Sequence, residues 1–192
     1  MKRFEYIEKQ LREALDEQRY EHTMGVMYTA GCMAMVHGYD VNKAMLAGLL
    51  HDCAKCMSHE ERLGLCGQYH VEVTRAELEN KALLHAKAGA ILAKTQYEIS
   101  DRDILHAIAV HTTGEPDMNV LDKIIYIADY IEPGRDKAPN LELVRVLAFQ
   151  NLDICMAQIL NDTLQYLKSR GGLIDPATEQ TYEFYKDYRE GV

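Results

Sequence analysis

The hydrophobic period of this chain restricts its fold more than any other feature. Apolar residues recur every three to four positions almost from end to end, and no segment sustains the alternation of a half-buried strand. Phe4, Ile7, Leu11 and Ala14/Leu15 mark one face of a first helix. A second is expected to begin near Arg19–His22 and to stop at Gly38, and Asp40 is placed to cap a third, VNKAMLAGLLHD. Ser58 to Glu61 has the form of a capping box, as has Thr74 to Glu77. Residues 80–97 read as one helix, with Ala86, Ala88, Gly89 and Ala90 permitting close packing. Ser100 is the expected cap of DRDILHAIAVH, and Asn119 that of VLDKIIYIADYIE, which stops before Pro133-Gly134. Residues 140–169 form one or two helices ending at Gly171-Gly172, and Asp175-Pro176 opens a last helix to about Tyr188. No repeat or linker interrupts the pattern. The expectation is a single all-α domain over residues 1–192, and 47% apolar residues are enough to fill its core without a partner.

Charge narrows the choice of ligand. A net charge of −9 argues against a nucleic-acid polymer, which requires a basic face. A small polyphosphate is still admissible, because a metal and a few local cations offset its charge. No apolar run approaches the ~20 residues that span a membrane, and the stretch MKRFEYIEKQLREAL lacks a signal-peptide pattern. The expected compartment is the cytoplasm, where the five cysteines stay reduced. Nine Met and twelve Tyr serve a core or a homodimer interface equally well.

Against this background the pair His51-Asp52 stands out, at the end of the apolar run AMLAGLLHDCAK. Together with His22, His85, His111 and Asp129 it can build a divalent-metal site. Imidazole and carboxylate suit iron, manganese, cobalt, nickel, zinc and, less well, magnesium. Two His and two Asp leave coordination positions open, as catalysis requires. An ion held there lowers the pKa of water and polarises a phosphoryl oxygen, both of which serve phosphate hydrolysis. Neighbouring residues on a continuous helix point roughly 100° apart, so His51 and Asp52 reach one ion only if it sits beside a helix end. Facing helices must then supply the other ligands. Asp129 lies inside the apolar run IIYIADYIE and needs a cation or several donors if it is buried. His37, His59, His70 and His106 are read as ordinary core or surface residues.

The order His22, His51-Asp52, His85, His111, Asp129 resembles the HD superfamily of metal-dependent phosphohydrolases. The segments AGLLHDCAK, HTTGEPDM, LDKIIYIADYIEPGR and GGLIDPAT resemble the YqeK-type branch, bacterial hydrolases that cut diadenosine tetraphosphate symmetrically into two ADP. The resemblance spans nearly the whole chain and implies an HD-type helical bundle. It implies His22, His51, Asp52 and Asp129 as ligands of iron or another divalent ion. His85 and His111 would face the phosphates, or ligate a second ion. Lys55, in the same motif as Asp52, and Arg135, whose planar fork suits two oxygens, would contact phosphate. Gly172, Leu173, Ile174, Asp175 and Pro176 match a stretch that closes over the nucleoside. The family usually carries histidine where this chain has Asp175; aspartate repels phosphate, which leaves a backbone contact there. Asp52, His85, His111 and Lys55 are the expected catalytic set. All but His51 are also expected to meet the substrate.

Other readings compete. The same metal site suits hydrolysis of another nucleotide or a cyclic nucleotide. A non-catalytic nucleotide-binding module would keep the fold but break the ligand set, which here is intact. A di-iron oxygenase centre would need both His85 and His111 as ligands. Cys53, Cys56, Cys66 and His70 have the spacing C-x2-C-x9-C-x3-H and resemble a small zinc site in ligand type. Such a knuckle would crowd a metal at Asp52, and residues 58–65 between the cysteines read as a regular helix.

Overall fold

The structure, a computed structural model, describes residues 2–191. Among these there is no strand. The helices are α1 (Lys2–Ala14), α2 (Glu17–Val36), α3 (Val41–Leu50), α4 (His59–Gln68), α5 (Arg75–Glu79), α6 (His85–Thr95), α7 (Arg102–Val110), α8 (Val120–Ile131), α9 (Leu141–Leu147), α10 (Leu152–Arg170) and α11 (Pro176–Tyr185), followed by a 3-10 turn, Lys186–Gly191. No helix among the described residues is long and apolar enough to cross a membrane.

Caps explain most boundaries. Asp40, Ser58, Thr74, Asn119 and Asp175 each accept a backbone N–H at the start of the helix they precede. Such a cap contributes about 1 kcal/mol. Three helix starts differ from the sequence reading. The second helix begins at Glu17, capped by Asp16, so His22 lies in its second turn and not at its start. Asp101 caps α7 in place of Ser100; its carboxylate accepts from Asp103 and Ile104 and pairs with Lys43 at 2.7 Å. Residues 80–84 turn instead of joining α6, so that His85 is the first residue of that helix. The stretch from 140 to 169 is two helices, parted where Asn151 caps α10.

Helix α8 runs through the centre. Leu121, Asp122, Ile124, Ile125, Tyr126, Ile127, Ala128 and Ile131 are buried, which leaves only Val120, Lys123, Asp129 and Tyr130 of this helix in reach of solvent. Helices α2, α3, α7 and α10 surround it. α2 and α3 approach closely because Gly48 has no side chain: a Cβ there would stand 3.0 Å from the Met27 Cα. A smaller apolar cluster of Ala54, Cys66, Leu84, Ala88 and Ile91 fixes α4 and the turn after α3 against α6. At the far end the buried Tyr185 hydroxyl accepts from the Met118 N–H and ties α11 to the loop before α8. The close approach of α2 to α3 and the central course of α8 bring three ligand-bearing segments to one end of the bundle.

Candidate metal centre

Four histidines converge there by one local device. The Nδ1 of His51 faces the Gly48 carbonyl at 2.7 Å, that of His85 faces Ala82 at 2.6 Å, and that of His111 faces Ile108 at 2.7 Å. Each carbonyl lies three residues back in the chain, at a helix end or a turn where backbone oxygens lack helical partners. A carbonyl can only accept, so each Nδ1 carries the proton. His22 does the same with a side chain, donating from Nδ1 to Glu132 Oε1 at 3.0 Å. All four rings therefore turn Nε2 inward.

These nitrogens meet one another and two carboxylates. His22 and His51 bring their Nε2 atoms within 3.3 Å, and His85 and His111 within 3.1 Å. His22 Nε2 stands 3.0 Å from Asp129 Oδ1, and His85 Nε2 stands 2.9 Å from Asp52 Oδ1. Asp52 Oδ1 is buried and has no hydrogen-bond donor. Its short distance to His85 is a contact between two acceptors once the Nδ1 protons are placed. Protonating the rings does not resolve the crowding near neutral pH. Burial lowers the pKa of His51 to about 4, despite the opposing pull of Asp52 and Asp129, and burial lowers that of His85 to about 4 as well. Cations resolve it. The sets His22/His51/Asp129 and His51/Asp52/His111 each offer three donor atoms at metal-ligating distances, so the cluster is able to hold a divalent metal.

Asp52 divides the centre. Its Oδ2 faces His51 at 3.6 Å and accepts from Arg19 Nη1 at 2.7 Å. Its Oδ1 faces His85, His111 and, at 3.6 Å, Lys55. The Lys55 ammonium also lies 3.1 Å from His85 Nε2, a positive charge already sitting in that half, and burial lowers its pKa. Arg135 folds back on Asp129, its Nε donating to the Asp129 carbonyl at 2.8 Å and its Nη2 to the carboxylate. The centre opens on a cavity of about 970 Å³, a size suited to a nucleotide. Arg19, His22, Lys55, His85, His111, Asp129 and Arg135 line it.

The structure thus gathers His22, His51, Asp52, Lys55, His85, His111, Asp129 and Arg135, all singled out in the sequence. Gly172, Leu173, Ile174, Asp175 and Pro176 do not line the cavity. The Asp175 carboxylate is occupied by the Thr74 hydroxyl at 2.8 Å and the Ala177 N–H at 2.9 Å, because it caps α11. Cys53, Cys56, Cys66 and His70 do not converge. Cys53 donates to the Gly89 carbonyl, Cys66 is buried in the smaller cluster, and Cys56 and His70 are exposed. His106 lies between Glu115 and Asp122, each at 3.0 Å, in a separate group.

Three functional residues escaped the sequence reading. Arg19 precedes His22 by three positions, hence on the same face of α2. Glu132 follows Asp129 by three and holds both His22 and the Gly134 N–H, the latter at 2.6 Å. Arg62, 8% exposed, donates to the carbonyls of Lys55, Met57 and Lys81. It joins the turn that carries Asp52 and Lys55 to the turn that leads into His85.

A helical bundle that focuses histidine and aspartate on an open polar cavity defines a class of metal-site proteins. The HD domain pattern matches residues 19–134, and the chain belongs to the HD domain family. It is 39% identical over 170 residues to a Halalkalibacterium halodurans protein named symmetrical bis(5'-nucleosyl)-tetraphosphatase, covering 88% of this chain and 89% of that one. A Bacillus subtilis protein of the same name is 37% identical over 174 residues, covering 91% and 92%. A crystal structure from Clostridium acetobutylicum, described as a "predicted HD superfamily hydrolase involved in NAD metabolism", aligns with a TM-score of 0.92 at 38% identity, over 96% of this chain and 97% of that one.

Proposed function

We propose that this protein is a metal-dependent hydrolase that cleaves diadenosine tetraphosphate symmetrically into two ADP. The observation that carries the chemistry is the inward convergence of four Nε2 atoms on the Asp52 carboxylate at the base of an open cavity. The substrate is supported by the names of relatives that match nearly the whole chain. His22, His51, Asp52 and Asp129 would hold the ion, iron first, and the His85/His111 side offers room for a second. Bound there, a divalent ion supplies Lewis acidity toward a phosphoryl oxygen and lowers the pKa of water.

The chain's own groups do the rest. Glu132 and the three carbonyls fix the ring orientations, so no histidine has to turn during the reaction. Arg19 and Arg135 now rest on Asp52 and Asp129. Were those carboxylates to hold an ion, both guanidinium groups would be free to meet phosphate oxygens, which their planar forks suit. Lys55, His85 and His111 face the inner phosphates, and the Lys55 ammonium stabilises the charge that develops as ADP leaves. Residues 1–192 act as one catalytic domain, and the free thiols suit a reducing cytoplasm.

The test is anaerobic loading with iron or manganese, incubation with diadenosine tetraphosphate, and chromatography of the products. ADP alone is expected. AMP with ATP would overturn the cleavage position, and no turnover by metal-loaded protein would overturn the substrate.

A further inference from the structure

A second cleft of about 450 Å³ lies beside the first, lined by Arg12, Leu15, Glu17, Tyr20, Glu21 and Met24. Glu21 lines both cavities, so one helix forms the wall between them. Along α2, residues 17, 20, 21 and 24 share the face toward the cleft, while Arg19, His22 and Gly25 share the face toward the metal centre. The cleft differs in chemistry from the main cavity. Its floor is apolar, with Leu15 buried and Met24 packed against the core. Its wall is the Tyr20 ring, with the Arg12 guanidinium 5.1 Å above the ring centre. Carboxylates occur at its rim as Glu17 and Glu21, and no histidine lines it.

We infer that this cleft takes the second nucleoside of the substrate, the adenosine of the ADP that leaves. The inference rests on the dinucleotide reading of the active site. A substrate with a nucleoside at each end of four phosphates needs two nucleoside positions, one on each side of the cut. An aromatic ring with a guanidinium stacked on it is a platform for a purine, since every base has a π-face and Arg adds a cation–π contribution. Glu21 lines both cavities, so its carboxylate is placed to accept from the ribose hydroxyls of a ligand that crosses between them. Glu17 accepts from an exocyclic amine. Tyr20 and His22 are separated by about 3 Å along the helix axis and lie on different faces of a rod about 10 Å wide. A diphosphate and a ribose bridge such a gap. Carboxylates at the rim disfavour a further phosphate there, which selects for the nucleoside end of the chain.

The experiment measures binding of two ligands to metal-loaded protein: a methylene-bridged, non-hydrolysable diadenosine tetraphosphate, and adenosine 5'-tetraphosphate, which has one nucleoside. Wild-type protein is expected to prefer the dinucleotide. Tyr20→Ala should weaken the dinucleotide about tenfold by loss of stacking while affinity for the mononucleoside ligand holds, and Tyr20→Phe should restore it. Arg12 is exposed, so Arg12→Ala leaves the fold intact; it should lower the preference about threefold through the lost cation–π contribution. Equal weakening of both ligands, or an unchanged preference in both alanine variants, would overturn the second-nucleoside site. If wild-type protein still makes only ADP in that case, the proposed activity stands without it. If wild-type protein makes no ADP, both fall together.

Discussion

Replacing Glu132 by glutamine should lower metal affinity sharply although the change is one of the smallest available. The carboxylate is 4% exposed and presents two acceptors to two donors, the Nδ1–H of His22 and the N–H of Gly134. An amide offers one acceptor and one donor. If its oxygen faces His22, its NH2 meets the Gly134 N–H across 2.6 Å and the loop that carries Arg135 must move. If its NH2 faces His22, the ring proton is driven to Nε2, the atom that should hold the ion. Lateral escape is blocked on one side, because Gly25 already approaches so closely that a Cβ there would meet Glu132 Oε2 at 2.6 Å. Leaving one buried donor unpaired costs about 1–3 kcal/mol, and losing such a supporting contact lowers metal affinity about 10–100-fold. Manganese titration against a chromophoric chelator reads the affinity, and a melting curve reads the fold. The melting temperature should drop by about 2–4 °C per kcal/mol. Unchanged metal affinity in Glu132→Gln would refute the argument that the His22 tautomer is fixed by this carboxylate.

Asp52→Ala should reduce hydrolysis by at least about 10²–10³-fold with little loss of helicity by circular dichroism; full activity would remove Asp52 from the site. Arg62→Met leaves three carbonyls without their donor, and a loss of about 1–3 kcal/mol should appear as a lower urea midpoint together with a reduced kcat; a wild-type kcat would show that the two turns hold their places without it. Acid should destabilise the metal-free protein in a defined window. His51 and His85 have a folded pKa of about 4 against an ordinary 6.5, so between those values the unfolded chain binds protons that the folded chain refuses. Stability then falls as pH falls, by up to about 1.4 kcal/mol per pH unit for each ring. Flat melting temperatures from pH 6.5 to 4 would contradict the buried neutral state.

Much of this was legible in the chain. Asp40, Ser58, Thr74, Asn119 and Asp175 begin helices where their side chains predict, because capping is a local interaction. Residues 80–84 misled because their apolar pattern continues into α6, while they turn with the Ala82 N–H on the Asn80 side chain and the Lys81 carbonyl held by Arg62 from another helix. The metal-facing residues were visible by type and order: histidine and aspartate in that sequence have few other reasons to recur. Arg19, Glu132 and Arg62 carried no such mark. Charged residues at helical spacing are ordinary surface residues until α2 meets the turn after α3 and the end of α8, and α4 meets the turn before α6. The zinc-like cysteine spacing failed for the converse reason, since its four donors lie on one stretch of chain but Cys53 and Cys66 enter different clusters while Cys56 and His70 are exposed.

The outward anchoring of the imidazole protons has a further meaning for how the protein acquires its ion. Sites built on thiols must shed protons to bind metal, and their occupancy follows acidity. Here His51 and His85 are already stripped on the inner side well below neutrality, and each remaining ring proton is committed to a carbonyl. At these two rings, filling the centre therefore displaces no proton near neutral pH. Around neutral pH the readiness of these two rings to take an ion follows the supply of metal and not their own titration.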